Sequence, residues 1–238
     1  MSLAIFSDVH GNLPALRAVL DDIRRQGCRS VFCLGDLVDY GPFPNEVVET
    51  IRERDIPTII GNHDEGIAFE LAGSGGGYRD LAEKAFKEAA FVWTAGEVKP
   101  EHRTWLRQLP RSLRLEAGGH RFLLVHASPE RLNEYLFEDT PEARFREIAA
   151  GAEADVVVFG HTHRPYVKVV DGVTFINVGS VGNPKDGDPR AFYAIVRATP
   201  TKVEVEPRRV DYDIESLVEA LHQRGLPEIY AQRVRTGT

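Results

Sequence analysis

Apolar and polar positions repeat with two different periods in the first quarter of the chain. Residues 3–7 predict a buried strand, and from Leu13 apolar side chains recur at i, i+3, i+4 and i+7, which predicts an amphipathic helix that ends near Gly27. The same alternation then repeats, with elements predicted at 30–34 (strand), 44–54 (helix) and 56–60 (strand). Strand–helix alternation favours a parallel sheet, whose functional loops lie at the carboxyl ends of the strands.

Residues 66–111 have a different, mainly helical pattern that includes the glycine-rich run 73–77. A second, shorter helix is expected near Glu101. The apolar residues expected on the buried face of the longer helix are Ala82, Phe86, Ala89 and Trp93. We expect this segment to be a helical, cap-like insertion, although a plain packed insertion explains the pattern equally well.

Strand patterns dominate the rest of the chain. Two pairs of strands flank the hairpin signals Gly118-Gly119 and Asp171-Gly172, and the second of these is a strong type I′ turn signal. Helices are predicted at 141–150 and from Ile214 toward the C-terminus. The predicted strands are 112–116, 120–126, 155–159, 166–170, 173–177, 191–197 and 202–208. This order predicts an α/β fold, with two mixed β-sheets flanked by helices in a single domain over 1–238.

The overall composition narrows the class of protein. Of the 238 residues, 42% are hydrophobic and 27% are charged, as in ordinary globular domains. The apolar runs are far shorter than the roughly 20 residues that span a bilayer, and strand-like sequence begins at Leu3 without a signal-peptide pattern. A cytoplasmic protein without a membrane partner is therefore expected. The net charge of −7 argues against extended nucleic-acid binding, although bound cations would still admit a small anionic substrate.

Side chains that can bind metals are concentrated where predicted strands end. Five of the eight histidines belong to this set, whereas the pattern around His102, His120 and His222 is that of ordinary surface sequence. Because the carboxyl ends of these strands share one edge, the side chains are expected to meet. The set comprises Asp8 and His10 after the first strand, Asp36 after the second, Asn62, His63 and Asp64 after the third, and His126, His161 and His163 after two later strands.

The residue types suit a pair of divalent cations. Asp8 and His10, at i and i+2 in extended backbone, would point the same way and hold one ion, and His161 with His163 repeats that spacing. A carboxylate such as Asp36 can bridge two cations that lie roughly 3.5–4 Å apart. Imidazole, carboxylate and amide ligands without thiolates favour Mn²⁺, Fe or Zn²⁺ over Ca²⁺ or a structural zinc site. Each motif alone is weak, but coincidence is a remote explanation for all of them in order.

A resemblance to the calcineurin-like metallophosphoesterase superfamily rests on these motifs. They are Asp8-x-His10, Gly35-Asp36-x-x-Asp39, Gly61-Asn62-His63-Asp64, His126 and Gly160-His161-Thr162-His163. Residues 177–184, followed by 188–190, resemble the small prokaryotic branch of YfcE-type phosphodiesterases. The resemblance extends over about residues 3–197 and implies a four-layer α-β-β-α sandwich.

The resemblance also implies a role for each site residue. One metal ion would be held by Asp8, His10, Asp36 and His163. The other would be held by Asp36, Asn62, His126 and His161. His63, oriented by Asp64, would lie beside the phosphate as the catalytic residue that stabilises the transition state or protonates the leaving oxygen. Mn²⁺ is the expected metal, with Fe, Zn²⁺ and Ni²⁺ as alternatives.

The implied reaction is in-line displacement at phosphorus by a water that two metal ions activate. The expected enzyme is a dinuclear metal-dependent phosphoric ester hydrolase, in first place a phosphodiesterase for a small or nucleotide-like substrate. Protein phosphatases of the superfamily carry an arginine where this chain has Tyr40, and a glutamate where it has Asp64, which argues against a phosphoprotein substrate. A phosphomonoesterase and a non-catalytic scaffold are the alternatives, a nuclease is less favoured, and a homo-oligomer stays open.

Overall fold

The computed structural model describes residues 1–238 as nine β-strands and eight α-helices. The strands are β1 (Ser2–Phe6), β2 (Ser30–Cys33), β3 (Ser112–Ala117), β4 (His120–Val125), β5 (Val156–Phe159), β6 (Tyr166–Val170), β7 (Val173–Asn177), β8 (Ala191–Thr199) and β9 (Lys202–Val210). The helices are α1 (Leu13–Arg25), α2 (Pro44–Glu53), α3 (Asn62–Ala68), α4 (Leu81–Glu97), α5 (Pro100–Leu106), α6 (Glu142–Ala152), α7 (Ile214–Gln223) and α8 (Glu228–Thr236).

The strands form two mixed β-sheets. The first has the order β2-β1-β8-β9, and the second has the order β3-β4-β5-β7-β6. In the first sheet β1 pairs in parallel with β2 and antiparallel with β8. In the second sheet β4, β5 and β7 are parallel neighbours. The predicted α/β fold with two mixed sheets is therefore confirmed.

Side chains of the central strands alternate between different layers of the molecule. In β1, Ile5 packs into the core between the two sheets, whereas Phe6 packs with residues of α1 and α2 on the outer face. In β5, Val158 joins the same central core, whereas Val157 faces α6. This two-residue period places helices outside both sheets and gives the expected α-β-β-α order of layers.

The segment predicted as a strand at 56–60 is not a strand in the structure. It forms one isolated parallel bridge, between Thr58 and Cys33 of β2. The amide of Cys33 donates to Pro57 O at 3.0 Å, and the amide of Ile59 donates to Cys33 O at 3.1 Å. Pro57 has no N–H of its own, so the ladder does not extend. The segment still runs beside β2 and leads to Asn62 at the same edge of the sheet.

The buried face of α4 differs from the predicted one. Ala82 and Ala89 are exposed, and Phe86 and Trp93 are only half-buried. The buried side chains of α4 are instead Glu83, Ala90, Phe91 and Thr94. Two of these are polar, and hydrogen bonds to neighbouring groups satisfy them. The spacing of apolar residues cannot predict that polar residues are buried when hydrogen bonds satisfy them.

A single helix was predicted from Ile214 toward the C-terminus, whereas the structure has two helices there, α7 and α8. In the structure α8 packs against α7 and buries Tyr230, Ala231 and Val234. The ring of Tyr230 stacks on the ring of Tyr40, with the centroids 5.1 Å apart. The C-terminal helix thereby supports the loop that follows β2.

One of the histidines away from the strand ends is not where the sequence pattern predicted. The prediction that His102 lies at the surface is wrong, since its side chain is 2% exposed and its Nδ1 lies 2.9 Å from Asn45 Oδ1. His222 is exposed as expected. Cys28 and Cys33 are free thiols. None of the helices combines the length and the apolar content that a membrane span needs.

Candidate metal centre

The loops that carry the predicted site residues converge at one edge of the two sheets. The amide of Asp8 donates to Gly35 O, and the amide of His10 donates to Asp36 O, each at 2.9 Å. The amide of His161 donates to Asp8 Oδ2 at 3.0 Å. These bonds join loops from both sheets, so that residues far apart in the chain become neighbours.

The backbone at the site is not extended. Asp8, His10, Asp36, His161 and His163 all have positive φ angles, between 48° and 63°. Such angles are uncommon for residues with a Cβ and are concentrated at functional sites. The expectation of extended i, i+2 geometry is therefore wrong. Asp8 and His10 still belong to one group of ligand atoms, whereas His161 and His163 belong to different groups.

Two glycines leave the space in which the carboxylates lie. A Cβ on Gly61 would be 2.1 Å from Asp36 Oδ1 and 2.3 Å from the Asp36 amide nitrogen. A Cβ on Gly160 would be 2.4 Å from Asp8 Oδ2. Neither contact is possible for a real side chain, so glycine is required where the loops approach these carboxylates.

The first group of ligand atoms comes from Asp8, His10 and His163. The Nε2 atoms of the two histidines are 3.2 Å apart, and Asp8 Oδ1 lies 3.2 Å from His163 Nε2 and 3.7 Å from His10 Nε2. Nδ1 of His10 donates to Val38 O at 3.1 Å, and Nδ1 of His163 donates to Asn183 O. With the protons on Nδ1, both Nε2 lone pairs face one point, which is the arrangement of metal-binding imidazoles.

The second group comes from Asp36, His126 and His161. His126 Nε2 lies 3.3 Å from Asp36 Oδ2 and 3.0 Å from Asn62 Oδ1. His126 Nδ1 donates to Leu34 O at 2.7 Å, so its Nε2 again carries a lone pair toward the group. The amide oxygen of Asn62 therefore lies beside this group of atoms.

The donor set of both groups fits divalent metal ions. Asp8 Oδ1 and His161 Nε2 are buried and have no hydrogen-bond partner, so a cation would satisfy both atoms. Asp36 lies between the groups, with Oδ2 at 3.7 Å from His10 Nε2 and at 3.3 Å from His126 Nε2. Imidazole, carboxylate and amide ligands suit transition metals of borderline softness.

The ring nitrogens of His63 bond to side chains outside both groups. Nδ1 is 2.6 Å from Asp39 Oδ2, and Nε2 is 3.2 Å from the hydroxyl of Tyr40. The amide of His63 donates to Asp36 Oδ1 at 2.9 Å, which holds the ring beside the ligand groups. An imidazole fixed in this way by a carboxylate can give a proton from Nε2.

Asp64 does not orient His63, contrary to expectation. Its Oδ1 accepts from the amides of Leu37 at 2.8 Å and Val38 at 3.3 Å, and its Oδ2 accepts from the amide of Gly61 at 3.1 Å. An acidic side chain in the first turn of a helix commonly turns back to the amide before that turn, and Asp64 does so in α3. Burial and a neighbouring carboxylate raise the pKa of Asp64 to about 6. Asp64 therefore holds the loops together, and the side chain that orients His63 is Asp39.

A family model described as the calcineurin-like phosphoesterase superfamily domain matches residues 1–200. The chain belongs to the calcineurin-like phosphoesterase superfamily. Membership of this family, together with the two groups of ligand atoms, makes the protein a metal-dependent phosphoester hydrolase.

Relatives of this phosphoesterase include proteins that match it over its full length. The uncharacterized protein MJ0912 of Methanocaldococcus jannaschii is 34% identical over 252 residues, covering 99% of this chain and 98% of that protein. Phosphodiesterase YfcE of Escherichia coli is 27% identical over 203 residues, covering 81% of this chain and 85% of that protein. The crystal structure of a metallophosphoesterase from Sphaerobacter thermophilus is 32% identical, covers 100% of both chains and superposes with a TM-score of 0.79.

Charges at the ligand groups of the phosphoesterase depend on one another. Burial alone would raise the pKa values of Asp8 and Asp36, but the adjacent histidines hold both well below the usual carboxylate range. Burial would lower the pKa of His126, but the charge of Asp36 raises it to about 10. Burial, together with nearby Lys185, lowers the pKa of His163 to about 3. Metal ions compete with protons for such ligands, so acid should weaken metal binding.

Two residues of the phosphoesterase site had no role in the sequence prediction. Asp39, the partner of His63, is the second aspartate of the Gly-Asp-x-x-Asp motif, so its spacing from Asp36 was the available signal. Tyr135 follows β4, and its ring centroid lies 4.5 Å from that of His161. No motif marks Tyr135, because its position depends on the path of a long loop.

Proposed function

We propose that the protein is a dinuclear phosphodiesterase for a small or nucleotide-like phosphoester. The observation that carries this proposal is the position of Asp36 between the two groups of ligand atoms. Its Oδ2 lies 3.7 Å from His10 Nε2 and 3.3 Å from His126 Nε2. A carboxylate so placed suits the bridging ligand of a two-metal site.

We assign the ligands of each ion from the same distances. One ion is assigned to Asp8, His10, Asp36 and His163. The other is assigned to Asp36, Asn62, His126 and His161. Mn²⁺ is the proposed metal, because the donors are nitrogen and oxygen atoms without thiolates, and Fe, Zn²⁺ and Ni²⁺ are the alternatives.

The side chains around the ligand groups supply the acid that the reaction needs. Two bound cations supply an activated water and neutralise charge on the phosphoryl oxygens. Asp39 holds Nδ1 of His63, which fixes the tautomer and the orientation of the ring. His63 Nε2 is then the atom that donates to the leaving oxygen. Nε2 also lies 3.2 Å from the hydroxyl of Tyr40, which helps to hold the ring in place.

The side chain of Tyr40 favours a diester over a monoester. It is 7% exposed and stacks on Tyr230, and it stands where protein phosphatases of the superfamily carry an arginine. A monoester dianion lacks a bidentate cationic partner at this place, whereas a diester has one negative charge and depends less on such a clamp. The name of the relative YfcE, a phosphodiesterase, supports the same preference.

The test compares bis-p-nitrophenyl phosphate with p-nitrophenyl phosphate, as kcat/KM at saturating Mn²⁺. We expect the diester to be the better substrate. A clear preference for the monoester, or rapid dephosphorylation of a phosphopeptide, would make the protein a phosphomonoesterase instead. Metal analysis of the loaded protein should find about two ions per chain. His222→Ala, at an exposed position in α7, is the control histidine variant and should retain both metal and rate.

We also propose that residues 66–111 cap the site within a single domain over 1–238. Asn62 Nδ2 donates to Ser74 O at 2.9 Å, and Thr94 Oγ1 donates to Asp39 Oδ1 at 3.4 Å. The segment therefore contacts both a proposed metal ligand and the partner of His63, which supports a role next to the substrate.

A further inference from the structure

A cavity of about 190 Å³ opens beside His63. Asp39 and Tyr40 line it together with His63, and the other walls come from residues 72–78, from α4 and from Tyr135. His63 is the proposed proton donor to the leaving oxygen. The alcohol that leaves is therefore directed toward this cavity.

Aromatic rings form much of the cavity wall. Tyr78, Phe91 and Tyr135 all line it. Tyr78 and Tyr135 are 44% and 41% exposed, so their rings are accessible to a ligand. Tyr135 is held by its neighbours, since its ring centroid lies 4.5 Å from that of His161 and 5.8 Å from that of Phe137. Accessible rings of this kind offer a planar group a face for stacking.

The charged groups of the cavity already have partners. Lys87 Nζ lies 3.3 Å from Glu83 Oε1 and donates to Gly77 O at 3.2 Å. Glu88 Oε1 lies 3.7 Å from Lys84 Nζ. Since the one lysine in the wall is paired, the cavity favours a neutral ring over a second phosphate group.

The volume of the cavity limits the size of its occupant. A cavity of roughly 150 Å³ holds one benzene molecule, and sites for drug-sized ligands start at about 300 Å³. The observed volume of about 190 Å³ lies between these values and fits a planar group of one or two rings. A peptide or a folded polymer is too large for it.

We propose that this cavity is the leaving-group subsite and that it binds a nucleobase-sized planar aromatic group on the departing alcohol. Tyr78 and Tyr135 supply the stacking faces, and Phe91 closes the apolar wall. A nucleoside is then the favoured leaving alcohol. This inference rests on the proposed function, from which it takes the position of the leaving oxygen at His63.

The test uses pairs of substrates that differ only in the aromatic ring. Methyl diesters and monoesters of the 5′-hydroxyl of adenosine are compared with the same esters of 1-deoxyribose. The protein is loaded with Mn²⁺, and release of the alcohol is followed by chromatography. We expect kcat/KM to be about tenfold higher for the adenosine ester of each pair, a factor within the range for stacking one base on an aromatic side chain.

Variants of one exposed ring then assign the effect to the cavity. Tyr78→Leu should lower the ratio between the adenosine and 1-deoxyribose esters by about threefold or more, whereas Tyr78→Phe, which keeps the ring, should preserve it. Phe69→Leu is the matched control, because Phe69 is 49% exposed and lies outside the cavity wall. Equal kcat/KM for both esters in the wild type, or an unchanged ratio in Tyr78→Leu, would overturn the subsite.

Failure of the proposed function would have a different appearance, because either the monoesters alone or neither ester of any pair would be hydrolysed. A phosphomonoesterase would still allow the adenosine and 1-deoxyribose monoesters to be compared. Calorimetric binding of adenosine and 1-deoxyribose to the Mn²⁺-loaded protein then decides the inference by itself. Tighter binding of adenosine that Tyr78→Leu weakens supports the subsite. Equal binding of the two compounds rejects it.

Discussion

Asp39→Asn should slow hydrolysis without changing the metal content of the protein. Asp39 Oδ2 lies 2.6 Å from His63 Nδ1, and Asp39 belongs to neither group of ligand atoms. Asparagine has nearly the same shape and can still accept a hydrogen bond from Nδ1. It lacks the negative charge of the carboxylate, so the substitution removes the electrostatic part of this hydrogen bond and keeps its geometry.

The expected magnitude follows from the burial of this pair. Asp39 is 1% exposed and His63 is 7% exposed. A hydrogen bond to a charged group contributes about 1.5–3 kcal/mol, so kcat should fall by about 10- to 150-fold. His63→Ala removes the proton donor and should lower kcat by about 10²–10⁴-fold. Because the two residues act as a unit, Asp39→Asn should have little further effect in the His63→Ala protein.

The assay measures kcat for a series of aryl methyl phosphates whose leaving phenols differ in pKa. The loss in Asp39→Asn should grow as the leaving group becomes poorer, since a poor leaving group needs more protonation. Metal content is measured on the same samples by mass spectrometry. An equal loss across the series, or a loss of bound metal in Asp39→Asn or His63→Ala, would refute the assignment of the pair to the leaving group.

Other substitutions and treatments test the ligand groups, the loops and the fold. Asp36→Asn should lower the metal content and abolish activity, and chelation should do the same until Mn²⁺ is restored; full activity of metal-free protein would contradict the two-metal mechanism. Gly61→Ala should impair metal binding, because its Cβ would lie 2.1 Å from Asp36 Oδ1, and normal affinity would show that the loop can yield. Asp64→Ala leaves three amides without a partner and should lower Tm, at about 1–3 kcal/mol for each buried group left unsatisfied; an unchanged Tm would count against its structural role. Burial alone would raise the pKa of Asp22, but hydrogen bonds from Tyr193 at 2.7 Å and from nearby arginines lower it. The ionised carboxylate therefore stabilises the fold at pH values above its unfolded pKa of about 3.9. This contribution is lost as the pH falls through the pKa of the folded state. Asp22→Asn should therefore lower Tm at neutral pH and by much less in strong acid, and a loss that is independent of pH would contradict this.

Local sequence was sufficient for most strands and turns. The four apolar residues Val156–Phe159 form β5 within the predicted strand 155–159, and all four are buried. Asp171 and Gly172 have φ angles of 49° and 81°, which suit the predicted type I′ turn. Such features depend on side-chain period and backbone preference, which neighbouring residues set. The segment at 56–60 was mispredicted because a run of apolar residues does not reveal how far its ladder extends past Pro57.

The candidate site was also visible in the sequence as a set of residue types. Metal ligation restricts each position to a few side chains, so motifs such as Gly-Asn-His-Asp keep a recognisable form. The structure brings all the residues that the motifs select to one edge of the two sheets. Their division between groups was less visible, since His161 and His163 share one motif and yet face different groups. Left-handed φ angles do not explain this division, because Asp8 and His10 have them as well and share one group.

Only the tertiary structure decided which side chains support the proposed catalytic residue, His63. His63 bonds to Asp39 from the loop after β2, although Asp64 is its neighbour in the chain. Tyr40 is stacked on Tyr230, which lies on α8, a helix that was not predicted to be separate from α7. The sequence by itself determined the strands, the turns and the ligand types, because these depend on residues close together in the chain. The supporting contacts join loops and helices far apart in sequence, and their geometry exists only once the two sheets and the C-terminal helices have packed.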